Sequence, residues 1–343
     1  ARERCYKPVV ALAQRMEGLS QVLRKRQVGS VKGIAGKIHL GLLAVAVILL
    51  SWPDVMIVQR YITGFSGMGH LEFTGVLRAV QVEECLSIDE LMKDADSKID
   101  ILEAQRVEPE AHRFLIAACE KDMAAGFGSK LFSREELDRR FGLGNWLPMP
   151  RFEVIQANGK HRPIDNGAAY GHNDASSYME TLDCCTAAQP AAHVLAFVEE
   201  ADKAAVPRAE LEKLRLETGG DDLPDAYRWV PADPAEERLN IIGAFDERVQ
   251  GWRYQIIYGQ VFGKASAVIN FHRPQRIMQA MSRRWLMVLL SLYFDDATIQ
   301  DLMSSLGRGQ RFMRALFRMV GLPFAPEKAV DMCDEADFLG LIH

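Results

Sequence analysis

The longest apolar run in the chain covers residues 40–50 and stops at Ser51-Trp52-Pro53. A bilayer span needs about 20 apolar residues, so this run is too short to cross one. Proline cannot continue a helix, and the run therefore predicts a buried helix that ends before Pro53. All of residues 1–60 read as helical, with the basic stretch Arg24-Lys25-Arg26 and a glycine-punctuated segment at 31–41 ahead of the run. Gly64, Gly67 and Gly69 mark residues 61–70 as a loop. Such a cluster can cradle a phosphate, but the Lys-Ser/Thr ending of a P-loop and a preceding strand are both missing, which favours a plain loop. Residues 81–124 are acidic and helix-prone, with Leu86, Ile88, Leu91, Met92, Leu115 and Ile116 as the packed side of a solvated helical region.

From Ser133 the pattern changes. Ser133-Arg134-Glu135-Glu136 is a capping box that starts a short helix, and residues 141–150 form a turn-rich linker. Residues 151–156 alternate polar and apolar, Ala157-Asn158-Gly159 makes a tight turn, and 160–164 continues extended. That is a β-hairpin with Lys160, His161 and Arg162 just past its tip. An Ala-rich, charged helical pattern returns at 191–217. Strands are predicted beyond Gly219-Gly220, then a helix near 274–284, an apolar strand at 285–292 and a helix near 309–320. Arg311, Arg314 and Arg318 fall on one face of that last helix, opposite Phe312, Leu316 and Val320, and read as its solvated side. Strands and helices mixed without a regular βαβ repeat predict an α+β fold with helices on one face of an antiparallel sheet.

Composition narrows the class. With 343 residues, 48% of them apolar, the chain can form two compact units, and disorder, collagen and a disulfide miniprotein are excluded. A net charge of −5 argues against a polyanion partner until the charges are sorted by position. Residues 1–60 carry ten Lys/Arg against three Asp/Glu, and residues 271–320 carry eight Arg against three Asp, whereas residues 81–110 carry three basic and ten acidic side chains. Basic stretches of this kind can grip a polyanion locally. The six cysteines show no CxxC pair, and Cys184-Cys185 cannot easily close a relaxed disulfide with each other. With a polar, basic N-terminus and no cleavable signal, this reads as an intracellular protein of the cytoplasm or nucleus, not secreted and not in a membrane. The histidines show no metal-ligand spacing, and His70, His161 and His172 have no evident partners.

Two acidic sites carry the candidate chemistry. Tyr293-Phe294-Asp295-Asp296 directly follows the apolar stretch at 285–292, and adjacent carboxylates at the end of an apolar strand need either a turn or a neutralising cation. Asp221-Asp222-Leu223-Pro224-Asp225-Ala226-Tyr227 supplies the second site. Two separated carboxylate sites brought together can hold a pair of Mg²⁺ ions, which clamp the attacking and leaving oxygens of a phosphoryl transfer. Between them, Gly263 and its small neighbours let the chain pass close to a flat ligand.

Taken in order, several motifs resemble those of the reverse transcriptases of retroelements. They are Asp222 to Tyr227, Phe262-Gly263 with Ala265 and Phe271, Tyr293-Phe294-Asp295-Asp296, Gly321-Leu322-Pro323-Phe324-Ala325-Pro326-Glu327-Lys328, and Phe338-Leu339-Gly340. Lys160-His161-Arg162-Pro163-Ile164-Asp165 is similar to the basic fingers motif that precedes the palm, and the likeness covers about residues 140–343. The helical patterns above make residues 1–130 a mainly helical region of unassigned role, and the resemblance implies fingers plus a palm, an antiparallel sheet with packed helices, at 131–343, without a thumb. The chain would then be part of a longer polyprotein. The implied activity is RNA-directed DNA synthesis: two Mg²⁺ ions, with Mn²⁺ as a substitute, add dNTPs to the 3′-hydroxyl of a DNA or RNA primer on an RNA template.

The resemblance also implies roles. Asp222, Asp295, Asp296 and the Leu223 carbonyl would ligate metal. Tyr227 would pack under the sugar and reject a 2′-hydroxyl. Lys160 and Arg162 would neutralise the triphosphate, Phe262 and Gly263 would line the nucleotide and template side, and Lys328 would be the lysine that follows the catalytic hairpin. By residue type alone, Tyr227 also reads as a core aromatic, Lys328 as a helix-end cation and Lys160/Arg162 as a solvated tip. Residues 214–220 are less apolar than a central strand should be, which leaves Asp221 as an alternative ligand. Two other readings stay open: an inactive or domesticated polymerase-like domain that only binds RNA or an RNA–DNA hybrid, and an RNA-templated RNA polymerase, against which Tyr227 argues.

Overall fold

A computed structural model describes residues 2–343 other than 84, 107 and 212. Among the described residues eight helices precede the first long strand: α1 (Arg2–Arg24), α2 (Gly29–Ala35), α3 (Leu40–Leu49), α4 (Ile57–Thr63), α5 (Ile88–Met92), α6 (Ala95–Glu103), α7 (Pro109–Ala124) and α8 (Arg134–Phe141). Four more follow: α9 (Gln189–Lys203), α10 (Arg208–Leu211), α11 (Ala265–Leu286) and α12 (Arg308–Val320). The capping box at Ser133 forms as its sequence predicts: Ser133 Oγ accepts from the Glu136 N–H at 3.3 Å, and Glu136 Oε2 accepts from the Ser133 N–H at 2.8 Å. A second box at Ser87 and Glu90 starts α5. Helix α3 ends before Pro53, with Leu40, Leu42, Leu43 and Ala46 buried. His39 caps it. Its Nε2–H donates to Ala13 O at 3.0 Å, so Nδ1 is free to accept from the Leu42 N–H at 3.1 Å.

The longer strands are β1 (Pro148–Ile155), β2 (His161–Asp165), β3 (Leu216–Asp222), β4 (Ile241–Asp246), β5 (Gly251–Ile256), β6 (Leu289–Tyr293), β7 (Asp296–Leu302) and β8 (Val330–Cys333). They form two four-stranded sheets, ordered β2-β1-β4-β5 and β6-β7-β3-β8. In the first, β1 and β2 make the expected hairpin with Arg151 opposite Asp165, while β1 and β4 run parallel. The second is antiparallel throughout. Helices and strands thus mix without a βαβ repeat, an α+β arrangement of several small sheets.

Three boundaries depart from the sequence pattern. The helix expected at 274–284 is α11, which starts at Ala265 with Pro274 inside it and runs through Trp285 to Leu286. Met287 then takes a left-handed backbone (φ 54°), which ends the helix, so the strand expected at 285–292 begins only at Leu289. The helix expected at 191–217 ends at Lys203, the separate short helix α10 covers only Arg208–Leu211, and Leu216 is already in β3. The weak apolarity of β3 has a packing cause. A Cβ on Gly219 would lie 2.8 Å from Met332 Sδ and 3.3 Å from Gln310 Nε2, so β8 and α12 approach the bare backbone.

The largest apolar cluster crosses position 130: Val9, Ala13, Leu42 and Tyr61 pack with Phe271, Met281, Leu290 and Phe317. Most of the basic side chains at 1–60 and 271–320 are exposed, but some are used in pairs within the fold. Arg273 is buried on Asp54 (2.7 Å) and Glu72 (2.9 Å), Arg2 pairs with Asp301 at 2.6 Å, and Arg24 with Glu17 at 3.2 Å. The three histidines without evident partners have them. His70 meets Ser177 Oγ at 2.5 Å, His161 meets Glu153 at 2.5 Å, and His172 Nε2 meets Leu147 O at 3.2 Å. All six cysteines are free thiols. Among the described residues no single helix is long and apolar enough to cross a membrane. Helices α2 and α3 reach that length only jointly, across a 79° bend.

Candidate functional site

Strands β6 and β7 form a tight hairpin. Tyr293 pairs with Asp296, so Phe294 and Asp295 are its two turn residues. Phe294 adopts φ 51°, a left-handed backbone that is strained for a bulky aromatic side chain. The rings of His272 (4.9 Å) and Tyr293 (5.0 Å) hold it there. Because β3 lies on the other side of β7 with Asp222 in register with Asp296, the turn brings Asp222, Asp295 and Asp296 to one end of one sheet. The Leu223 N–H donates to Asp295 O at 3.0 Å and tightens the junction. Lys328 arrives on the short turn Pro326–Lys328, which the Ala325 N–H ties to Asp222 O at 2.8 Å. Its Nζ pairs with Asp222 Oδ2 at 2.7 Å.

Burial raises the proton affinity of Asp295, and the charge of Asp222 adds to it; Lys328 and Arg162 offset part of the rise. Asp296 is pushed up to about 6 by burial and then by the charges of Asp295 and Asp222, with Lys328 opposing. Three carboxylates therefore crowd one half-buried spot with one bonded cation, which leaves repulsion that a further cation would relieve. The donor set is hard oxygen throughout, the chemistry Mg²⁺ or Mn²⁺ takes. It is not a finished cage. Among the described residues no three His, Cys, Asp or Glu side chains stand close enough to hold a metal as they are. Lys328 would have to release Asp222 for an ion to enter.

Asp221, the alternative ligand, is taken out of that role by strand alternation. It is buried on the opposite face of β3, where Oδ1 accepts from Arg314 Nε at 2.7 Å and Oδ2 from Gln310 Nε2 at 3.0 Å. Arg314 also pairs with Asp331 at 2.8 Å, so it is not part of a solvated face of α12. Arg311 and Arg318 are exposed as expected. Arg314, Arg318, Phe324 and Asp331 line a cavity of about 260 Å³ behind β3.

The remaining predicted residues are placed unevenly. Tyr227 is buried in the short 3₁₀ turn Ala226–Trp229, stacked on Phe271 (4.8 Å) with the Phe262 ring edge-on at 4.8 Å. Burial, and next the Asp295 charge, raise its phenol well above the usual value. Phe262 itself is 51% exposed beside it. Gly263 has φ 106°, and a Cβ there would stand 1.8 Å from Asp165 O, so only glycine lets this segment meet the base of the β1–β2 hairpin. Arg162, on that hairpin, donates to Gln156 Oε1 at 3.3 Å, and its charge is the smallest of the influences named on Asp295. Lys160 sits at the exposed tip, its backbone N–H bonded to Asn158 Oδ1 at 3.0 Å. Leu223 contributes its backbone to the site while its side chain lies in the main core. The glycine loop that resembled a phosphate cradle is filled from within: Glu236 accepts from the Gly67 N–H at 2.8 Å and from Ser66 Oγ at 2.5 Å.

A second group of charges beside the site was not legible beforehand. Arg151 and Arg228 interlock with Asp122 and Asp165, side chains from four separate stretches of chain. The only local hint is the Arg151–Asp165 pair across the hairpin, which follows from its register. No family model matches the chain, and no curated protein matches it.

Proposed function

We propose that the chain is the fingers and palm of a retroelement reverse transcriptase, an RNA-directed DNA polymerase. The observation that carries this reading is the convergence of Asp222, Asp295 and Asp296, two motifs far apart in sequence, at one sheet end with unrelieved charge. In this reading Asp222, Asp295, Asp296 and the Leu223 carbonyl would hold two divalent ions. These, when bound, lower the pKa of the primer 3′-hydroxyl and steady the leaving pyrophosphate. Lys328, freed from Asp222, supplies a cation to the triphosphate, and Arg162 supplies a fork suited to phosphate oxygens. Tyr227, pinned between Phe271 and Phe262, presents a fixed wall to the sugar. The catalytic contribution of these residues is positioning and charge placement.

Primer extension on an RNA template with Mg²⁺ or Mn²⁺ and dNTPs tests the proposal. The wild type should extend the primer, and Asp295→Asn should lower the rate by about 10³-fold or more, the scale of losing a principal electrostatic group. Extension that survives Asp295→Asn removes the metal assignment. The Lys328–Asp222 pair, which closes the site as it stands, favours a second reading as an RNA- or hybrid-binding domain without catalysis. Salt-dependent hybrid binding with no incorporation by the wild type would select it.

A further inference from the structure

We infer that Arg228 is a positioning residue for Tyr227, and that through it helix α7 of the N-terminal region helps to set the discrimination between deoxy- and ribonucleotides. This rests on the polymerase reading. Arg228 follows Tyr227 directly in the four-residue 3₁₀ turn, so its anchoring is transmitted to Tyr227 through one rigid peptide. It is held from three sides. Nη2 lies 3.3 Å from Asp122 Oδ2 on α7 and 3.5 Å from Asp165 Oδ2 at the end of β2. Nη1 donates to Gln260 O at 2.9 Å.

Each partner belongs to a segment that shapes the candidate nucleotide pocket. Asp165 closes the hairpin that carries Arg162, and its carbonyl oxygen bears on Gly263. Gln260 leads into Phe262, whose ring stands against Tyr227. Asp122 and Asp165 are in turn clamped by Arg151, which bonds Asp165 Oδ1 at 2.6 Å and Asp122 Oδ2 at 3.3 Å. Two guanidinium groups and two carboxylates thus balance in charge, with Arg151 and Asp165 side chains 1% exposed and those of Arg228 and Asp122 at 12% and 17%. Loss of Arg228 leaves two acids facing a single cation, and the turn that orients Tyr227 loses its hairpin anchor and the buried part of its link to α7, keeping only the exposed Lys121–Asp225 pair at 3.8 Å. Selection against a 2′-hydroxyl by a side-chain wall is sensitive to displacements of about 1 Å, which can cost about 10²-fold in a positioned site.

The test is single-nucleotide incorporation of dNTP and rNTP by the full chain. Arg228→Gln should reduce the dNTP/rNTP preference at least tenfold, with KM for dNTP rising more than kcat falls. Arg228→Lys, which keeps the charge but loses the fork, should restore part of the preference. Asp122→Asn, at the more exposed end of the network, should shift it in the same direction by a smaller factor, and serves if Arg228→Gln does not fold. Wild-type incorporation with an unchanged ratio in Arg228→Lys and Asp122→Asn overturns this inference while leaving the polymerase reading standing. A wild type that incorporates neither nucleotide overturns both.

Discussion

The two four-stranded sheets each gather acids near a turn, and they treat them in opposite ways. At the base of the β1–β2 hairpin, Asp165 is buried against Arg151 at 2.6 Å, and every charge has a partner. At the end of β3 and β7, Asp222, Asp295 and Asp296 meet one bonded lysine, and the excess charge pushes Asp296 up to about 6. Asp221, next to Asp222 in sequence, lies between the two kinds: it faces the other way and is paired with Arg314, yet burial outweighs that pairing and raises its proton affinity. Paired buried acids hold the fold together, whereas crowded and underneutralised ones oppose it and persist as candidates for function.

The largest effect on stability should come from the paired side. Asp165→Asn leaves Arg151 and Arg228 with one acid between them, and an uncompensated buried charge costs about 3–5 kcal/mol. Denaturant melts should show that loss, and a shift near zero would remove the distinction drawn between the two sheets.

On the crowded side the sign reverses. An Asp in the unfolded chain titrates near about 4, and Asp296 in the fold near about 6. The folded state therefore holds this proton more tightly, so ionising Asp296 weakens folding. Without added metal, the melting temperature should fall as pH rises from about 4 to 6 by this contribution, and Asp296→Asn should flatten the fall and raise stability at pH 7. Added Mg²⁺ or Mn²⁺ at pH 7 should raise the wild-type melting temperature and do so much less for Asp295→Asn. A wild type indifferent to both ions would leave the carboxylates without their proposed occupant.

The smallest effect provides the background. Ser133→Ala removes a helix cap that bonds neither acid group and should cost about 1 kcal/mol. It also removes the hydroxyl hydrogen bond that lowers the Glu135 carboxyl, while the fall that Asp296 causes between about pH 4 and 6 stays. A larger loss would mean that α8 bears on the first sheet more than its contacts suggest.

What could be read from the chain beforehand follows from the range of the forces involved. The capping box at Ser133, the hairpin around Asn158-Gly159 and the stop before Pro53 are local, set by residues within a few positions, and all three form. The end of α11 is not legible in sequence because Trp285 and Leu286 suit a helix or a strand equally, and a single left-handed residue, Met287, decides between them. Strand β3 reads poorly as a central strand because its glycines lower its apolarity, yet Gly219 admits β8 and α12. The basic stretches suggested a surface for polyanions. Most of those side chains are exposed, but Arg273 and Arg314 turn inward, toward Asp54 and Asp221, partners that sequence distance hides.

By itself the sequence determined the capped and turn-bounded local elements, the order of the motifs and which residues carry the candidate chemistry, since each depends on side chains close along the chain. Only the tertiary structure decided which acids meet. Register across β7 puts Asp222 opposite Asp296, strand alternation sends Asp221 to Arg314, and four distant segments converge on Asp122, Arg151, Asp165 and Arg228. Whether a carboxylate is a structural partner or a free ligand depends on the cations beside it, and those arrive by folding rather than by sequence neighbourhood.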